Sequence, residues 1–365
     1  MTKSIPAGRK AFIIPALLCL LVAGVTPISQ SRADSDPSWR VKNRLQGKTK
    51  AGQDEAEKSE NVSGIACMPG PAFPRLCLVA DDESQGAQIV ILTDGLLIAG
   101  GFIPLIHDTY QGKPLELDAE GVAYADGFFY VIGSHGRARH EKDSDKEAKN
   151  DAKAVATRHV FRIALTPDDV DFETGEKKHD PAITESPALA MVMQNDPVLS
   201  PFYDQALDDN GITVEGVAVK DGKMFVAFRG PVLAGGNAVI MSAPLDTVFA
   251  GQSGPAELHR LALGNDSRDR PRGIRDITIE GDGFLLIAGP EQDPPKKVGI
   301  APGDYTIYAW DGNAASKLLD LQPTGKTDKP EALLPLDRKG GRLRALLMFD
   351  GPKEGQPMPV EMNLP

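Results

Sequence analysis

One short phrase recurs through this 365-residue chain and limits what it can become. "TVEGVAVKDGKMFVAF" (213–228) is an apolar strand, an Asp-Gly turn and a second apolar strand, with Glu215 near its start. "DAEGVAYADGFFYVIGS" (118–134) repeats it, and laying Asp126-Gly127 over Asp221-Gly222 puts Glu120 over Glu215. "RDITIEGDGFLLIAG" (275–289), fitted through Asp282-Gly283, offers Asp276 at that point. "NVSGIACMPG" with "RLCLVADD" (61–82) offers Ser63, and "KPEALLPLDRKGGRLRALLMFD" (329–350) offers Glu331. The five anchors are 57, 95, 61 and 55 residues apart, a repeat with one long interval.

A single hairpin cannot bury both of its faces, so the copies must cover one another. Their second strands ("LCLVA", "FFYVI", "MFVAF", "FLLIA", "LRALLMF") are continuous apolar runs. A half-buried strand would alternate, so these strands are expected to be covered on both sides. Asp-Gly suits a tight type I′ hairpin. Further strands follow at 87–92, 158–165, 238–245 and 305–311, giving units of three or four antiparallel strands. The expectation is an all-β chain, a β-propeller of five blades, or six if the interval 120–215 hides another. "WRVKN" (39–43) could complete the fifth blade and close the ring. The long interval holds a charge-rich stretch (140–157) and a small helical insertion (186–211) that could cover the Glu215 end.

Residues 1–33 read as a secretory signal peptide: basic residues, the 15-residue apolar run "AFIIPALLCLLVAGV", then "SRA" before a mature start at Asp34. Residues 34–60 read as a flexible N-terminal arm and 61–365 as a single propeller domain. A periplasmic or secreted location follows, with no membrane contact once the signal is cleaved. The formal net charge is −11, which disfavours nucleic acid and anionic lipid as partners. Small cations and neutral molecules suit such a surface, and an anion would need a local basic pocket. In an exported chain Cys67 and Cys77, on the two strands of the first hairpin, are expected to form a disulfide; two buried thiols are the alternative.

The anchors begin the first strands where the second strands end, so all five should share one pole. Glu120, Glu215, Asp276 and Glu331 would then crowd around one axis, and like charges so close need relief. A cation, nearby arginines or protonation would supply it; alternatively the acids cap backbone amides of the next blade and lock the ring. An all-oxygen set of Ser63, Glu120, Glu215, Asp276 and Glu331 suits Ca²⁺. Around this ring His135, Arg137, Arg229, Arg275 and Asp82 are candidate ligand-binding residues, and "GSHGRARH", "FRGPV" and "RPRGIRD" could form an anion pocket. Glu215, Glu120 and His135 are the candidate catalytic groups. There is no H-E-x-x-H, G-x-S-x-G, P-loop or dinucleotide fingerprint, so the familiar hydrolase and nucleotide signatures are missing.

"VEGVAVKDGKMFVAFRG", "AEGVAYADGFFYVIGSHGRAR", "GIRDI", "PEALL" and "LVADDES" resemble the bacterial domain-of-unknown-function 3616 family over about residues 60–352. That resemblance implies an exported or envelope propeller-like domain of unassigned activity. The "EGVAV–DG–MFVAF" rhythm looks like the blade repeat of NHL propellers, usually six-bladed. The ring is also similar to the central calcium site of the five-bladed calcium-activated apyrases. On that pattern Ser63, Glu120, Glu215 and Glu331 take the ligand roles, and Asp276 departs where that family has serine. Two functions remain open: a small-molecule-binding propeller with Ca²⁺, or a metal-assisted hydrolase of phosphatase, nucleotidase or esterase type.

Overall fold

The computed structural model describes residues 1–2, 39–50, 52–53, 55–70, 72–138, 146–251 and 254–365. Compact units divide at Gln30, and every element below belongs to the second, Ser31–Pro365. The expected leader and its cleavage site fall almost wholly on residues 3–38, outside the described residues.

Five larger sheets stand in chain order, each with an inner strand carrying one anchor region, and a two-stranded ribbon pairs Thr109–Tyr110 with Lys113–Pro114. The inner strands are Val62–Cys67, Ala119–Ala125, Thr213–Lys220, Arg272–Glu280 and Lys329–Lys339. Each contacts the next, and the last contacts the first, so the chain closes a five-bladed propeller. Second strands pair antiparallel to them at Arg75–Asp81, Phe128–Gly133, Lys223–Leu233, Gly283–Pro290 and Arg342–Asp350.

Five apolar clusters fill the five boundaries between blades. The unbroken apolar second strands follow from this arrangement. Alternate residues point to opposite faces: Phe129 and Val131 pack toward the first blade, Tyr130 and Ile132 toward the third. Likewise Met224, Val226 and Phe228 face the second blade, while Phe225 and Ala227 face the fourth. A strand with two buried faces has no polar face to show.

The interval 120–215 holds one blade, not two. Its outer strands are Val160–Ala164 and Ala182–Ser186, followed by helix α2 (Ala188–Asn195). Leu189 and Met193 bury α2 against the boundary between the second and third blades, where Val248 of α3 (Leu245–Phe249) joins them. The charge-rich stretch forms α1 (Glu147–Ala156). Among the described residues no helix is long and apolar enough to cross a membrane.

Closure differs from the expectation. Arg40–Lys42 pairs parallel to Leu96–Pro104 as a fifth, outer strand of the first blade and takes no part in the last. The fifth blade has three strands, ending at Met358–Met362. The ring is tied instead by the Asn61↔Asp350 bridge and by the Gly351 amide donating to the Glu60 carbonyl. Much of the stretch read as a flexible arm is packed: Leu45 is fully buried, the Gln88 side chain bonds the backbone of Arg44 and Gln46, and the Ser59 hydroxyl donates to Asp81 at 2.6 Å. Cys67 and Cys77 are directly paired in the first hairpin and joined by a disulfide.

Candidate functional site

Each inner strand carries a β-bulge close to its start, and the bulged residue is the anchor. The pairing skips Ser63, Glu120, Glu215, Arg275 and Glu331. A bulge re-aims one side chain and ends regular pairing, and such bulges recur beside functional sites. In the fourth blade the anchor is therefore Arg275 and not Asp276. The reason is the turn. In the second and third blades Asp126-Gly127 and Asp221-Gly222 both have positive φ, as type I′ requires. In the fourth, Glu280 pairs with Gly283, so Gly281-Asp282 is the loop, and only Gly281 has positive φ. That is a type II′ turn led by glycine, one residue earlier than the Asp-Gly pair suggests.

Asp276 falls instead in line with Gly64, Gly121 and Gly216. There the backbone of one blade lies against the next; a Cβ on Gly216 would sit 2.8 Å from the Ile277 nitrogen. The Asp276 carboxylate accepts the Leu333 amide of the fifth blade and its neighbour Ile277's amide, each at 2.7 Å. It locks the ring and stands outside the carboxylate cluster. Burial pushes its carboxyl up to about 8.

Arg275, fully buried, thus puts a fixed positive charge among the anchors. It donates to Glu331 at 2.6 Å, to Glu215 at 3.3 Å and to Asp293 at 2.9 Å. Arg229 adds bonds to Glu215 at 3.0 Å and Asp293 at 2.8 Å. Lys329 pairs with Asp350 and lies 3.6 Å from Glu331. Burial opposes ionisation of Glu215, but Arg275, Arg229 and Lys329 hold it below its usual range. This half of the pole is charge-compensated at Glu215, although burial, opposed by Lys329 and Arg275, pushes Glu331 up to about 8.

The other half is not. Glu120 is 7% exposed and has no hydrogen-bond or ion-pair partner among the described residues. Carboxylate oxygens of Asp82, Asp118 and Glu120 lie within 4.8 Å of one another, as do those of Glu120, Glu215 and Glu331. Burial, then Glu215 and Asp118, pushes the Glu120 carboxyl well above its usual range; burial, then Asp118 and Asp81, does the same to Asp82. Asp118 is raised to about 6 by burial, against the Ser134 hydroxyl beside it. Oδ1 of Asp82 is buried without a hydrogen bond.

These groups line a cavity of about 250 Å³ with seven carboxylates and four cationic side chains, drawn from four blades and from Lys153 of α1. Arg137 stands at its wall, 2.7 Å from Asp151 and 3.6 Å from Asp204. A larger cavity of about 440 Å³ opens at the opposite, turn-side end, among Ala66, Val122, Val217, Ile279 and Leu334. The smaller one holds the converging polar groups that mark a binding site, and it is the candidate.

Besides Asp276, three expected members do not line the cavity: Arg275, which stands behind Glu215 and Glu331, and Ser63 and His135. Ser63 donates to the Asn61 carbonyl at 3.0 Å and does not line the cavity. His135 is fully buried at φ +53°, with neither ring nitrogen bonded, and lies outside the lining. Burial, then Arg158 and His159, pushes it down to about 3, so it is a neutral ring at neutral pH. The sequence places Asp350 at this pole, at the exit of the last second strand, but does not single out Asp118, Lys329 or Asp293. Asp118 and Lys329 sit two residues ahead of anchors Glu120 and Glu331, a spacing that signals a shared strand end.

Residues 79–360 match the family described as "Protein of unknown function (DUF3616)". No curated protein matches the sequence. Solved structures with similar folds include the exo-β-1,3-galactanase of Phanerochaete chrysosporium (8% identity, 88% of this chain and 64% of that one, TM-score 0.42). The virginiamycin B lyase of Staphylococcus aureus is another (10% identity, 88% of each chain, TM-score 0.33). This chain spans a little less than two thirds of the galactanase's length. Likeness at this level carries no argument about activity.

Proposed function

Because the chain belongs to the DUF3616 family, whose description assigns no activity, we propose from the geometry alone that it is a propeller binding a small polar ligand at its bulged pole. One observation carries this reading: the 250 Å³ cavity in which polar side chains of four blades converge, with Glu120 buried and uncompensated at its wall. Leaving a carboxylate without a partner is costly, and a ligand that supplies positive charge or donors offsets that cost. The net acidic lining favours a cationic or neutral molecule. Export to the periplasm or beyond belongs to the same proposal and is supported by the sequence of residues 1–33 and by the Cys67–Cys77 pair.

A panel of small amines, amino acids and polyols, read by thermal shift, tests the proposal. Compounds that raise the midpoint of the wild type should fail with Ala138→Trp, which adds bulk to the cavity wall. If nothing in the panel shifts the wild type, or if the shifts survive in the variant, the cavity is not the site.

Glu120 also favours a second reading, metal-assisted hydrolysis of phosphatase, nucleotidase or esterase type. The buried Glu120 carboxyl, raised well above its usual range by burial and then by Glu215 and Asp118, keeps its proton more firmly than a free one and is placed to act as a general acid in the cavity. Turnover of p-nitrophenyl phosphate or acetate that disappears in Glu120→Gln would support it; no turnover by the wild type would end it.

A further inference from the structure

The axial calcium pattern places an ion among all the anchors, but Arg275 already brings a positive charge there. Its guanidinium, with Arg229 and Lys329, engages Glu215 and Glu331. A second cation between those two carboxylates would meet Arg275 at close range, and like charges repel. Asp82, Asp118 and Glu120 have no guanidinium among them: Lys153, bonded to Glu116, acts on Asp118 only from a distance, and among the described residues no ion pair reaches Glu120 or Asp82. Glu120 is buried, unpartnered and turned into the cavity, and Oδ1 of Asp82 is buried without a bond. We propose that Asp82, Asp118 and Glu120 hold one divalent cation of calcium size, displaced from the propeller axis toward the first and second blades.

The choice of ion follows from the ligand set. The three carboxylate oxygens fall within 4.8 Å of one another, close enough to share one ion. Three carboxylates in a flexible oxygen shell suit Ca²⁺, whereas Mg²⁺ keeps several waters and is usually held by one or two carboxylates. All three donors are hard oxygens, which suits Ca²⁺ over softer transition metals. The open cavity leaves room for water or a ligand oxygen to complete the shell. The ion would balance the acidic half of the pole as Arg275 balances the other. This inference deepens the proposed binding function and rests on it.

The test is calorimetric titration of EDTA-stripped full-length protein with CaCl₂ and, separately, MgCl₂, alongside melting curves. One Ca²⁺ per chain is expected, bound at least ten-fold more tightly than Mg²⁺. Asp118→Asn and Asp82→Asn should each weaken Ca²⁺ by ten-fold or more, while Glu331→Gln should change it less than three-fold. The apo variants should melt at or above the wild type, since each removes a crowded negative charge. A variant that fails to fold is replaced by its partner, because either aspartate alone tests the site. No Ca²⁺ binding, Mg²⁺ preferred, or binding that survives both aspartate variants and is lost in Glu331→Gln would overturn the proposal. Failure here with panel ligands still bound would remove the ion and leave the binding cavity standing; loss of both would remove the site.

Discussion

The Arg275 guanidinium reaches Glu331 at 2.6 Å in the next blade and Glu215 at 3.3 Å in the preceding one. A single buried cation therefore joins three of the five blades at the pole. Arg275→Met would leave two buried carboxylates short of their partner. Removing one member of such a pair costs about 3–5 kcal/mol, and urea denaturation should show that loss. Adding Glu331→Gln should restore part of it. A single variant within about 1 kcal/mol of wild type would deny the ion pair its structural role.

Gly216 touches the fourth inner strand backbone to backbone. A methyl there would stand 2.8 Å from the Ile277 nitrogen and 3.0 Å from the Asp276 Cα. Gly216→Ala should force the strands apart and cost about 1–3 kcal/mol, as overpacking does, with a lower thermal midpoint. Gly222→Ala, at φ +71° with open space around it, should lose stability through turn strain alone and leave ligand and ion binding unchanged.

The Cys67–Cys77 disulfide closes a loop with a sequence separation of 10. Constraining so short a loop in the unfolded chain is worth about 2–3 kcal/mol. The double variant Cys67→Ser, Cys77→Ser should be weaker by that amount in denaturant, and dithiothreitol should weaken the wild type to match.

Asp276 gives a pH dependence with a definite sign. Its carboxyl is raised by burial from an ordinary 3.8 to about 8 in the folded chain. The folded state then binds the proton more tightly than the unfolded state. The associated stability is complete below about pH 4 and is lost as pH rises through about 8. Denaturation of Asp276→Asn across that window should show a shallower fall than wild type; equal slopes would place the titration elsewhere.

The repeat, the blade count and the pole were legible because each rests on local chemistry: a two-residue turn, a buried pair of strand faces, a recurring polar anchor at the strand start. Apolar runs such as "FFYVI" betrayed two covered faces without any contact being known. What stayed hidden depended on register and on distant partners. Gly281-Asp282-Gly283 allows two turn placements one residue apart, and a one-residue slip exchanges Arg275 for Asp276 at the anchor. Asp293 meets Arg229 and Arg275 from a loop with no repeat to mark it. His135 looked available because it follows a strand in a glycine-rich loop, but the packing around Arg158 and His159 buries it completely. "WRVKN" read as a closing strand because the fifth unit shows no clear outer strands of its own; Met358–Met362 supplies one, and the Asn61↔Asp350 bridge ties the ring.

Arg275 fills the positive place among the anchors and leaves the acidic need beside it, at Asp82, Asp118 and Glu120. Crystals soaked in MnCl₂ and measured for anomalous scattering test this most directly. One strong peak bounded by Asp82, Asp118 and Glu120 is expected, with Arg275 still bonded to Glu215 and Glu331. A peak on the axis among Glu120, Glu215 and Glu331, with Arg275 swung away, would contradict it.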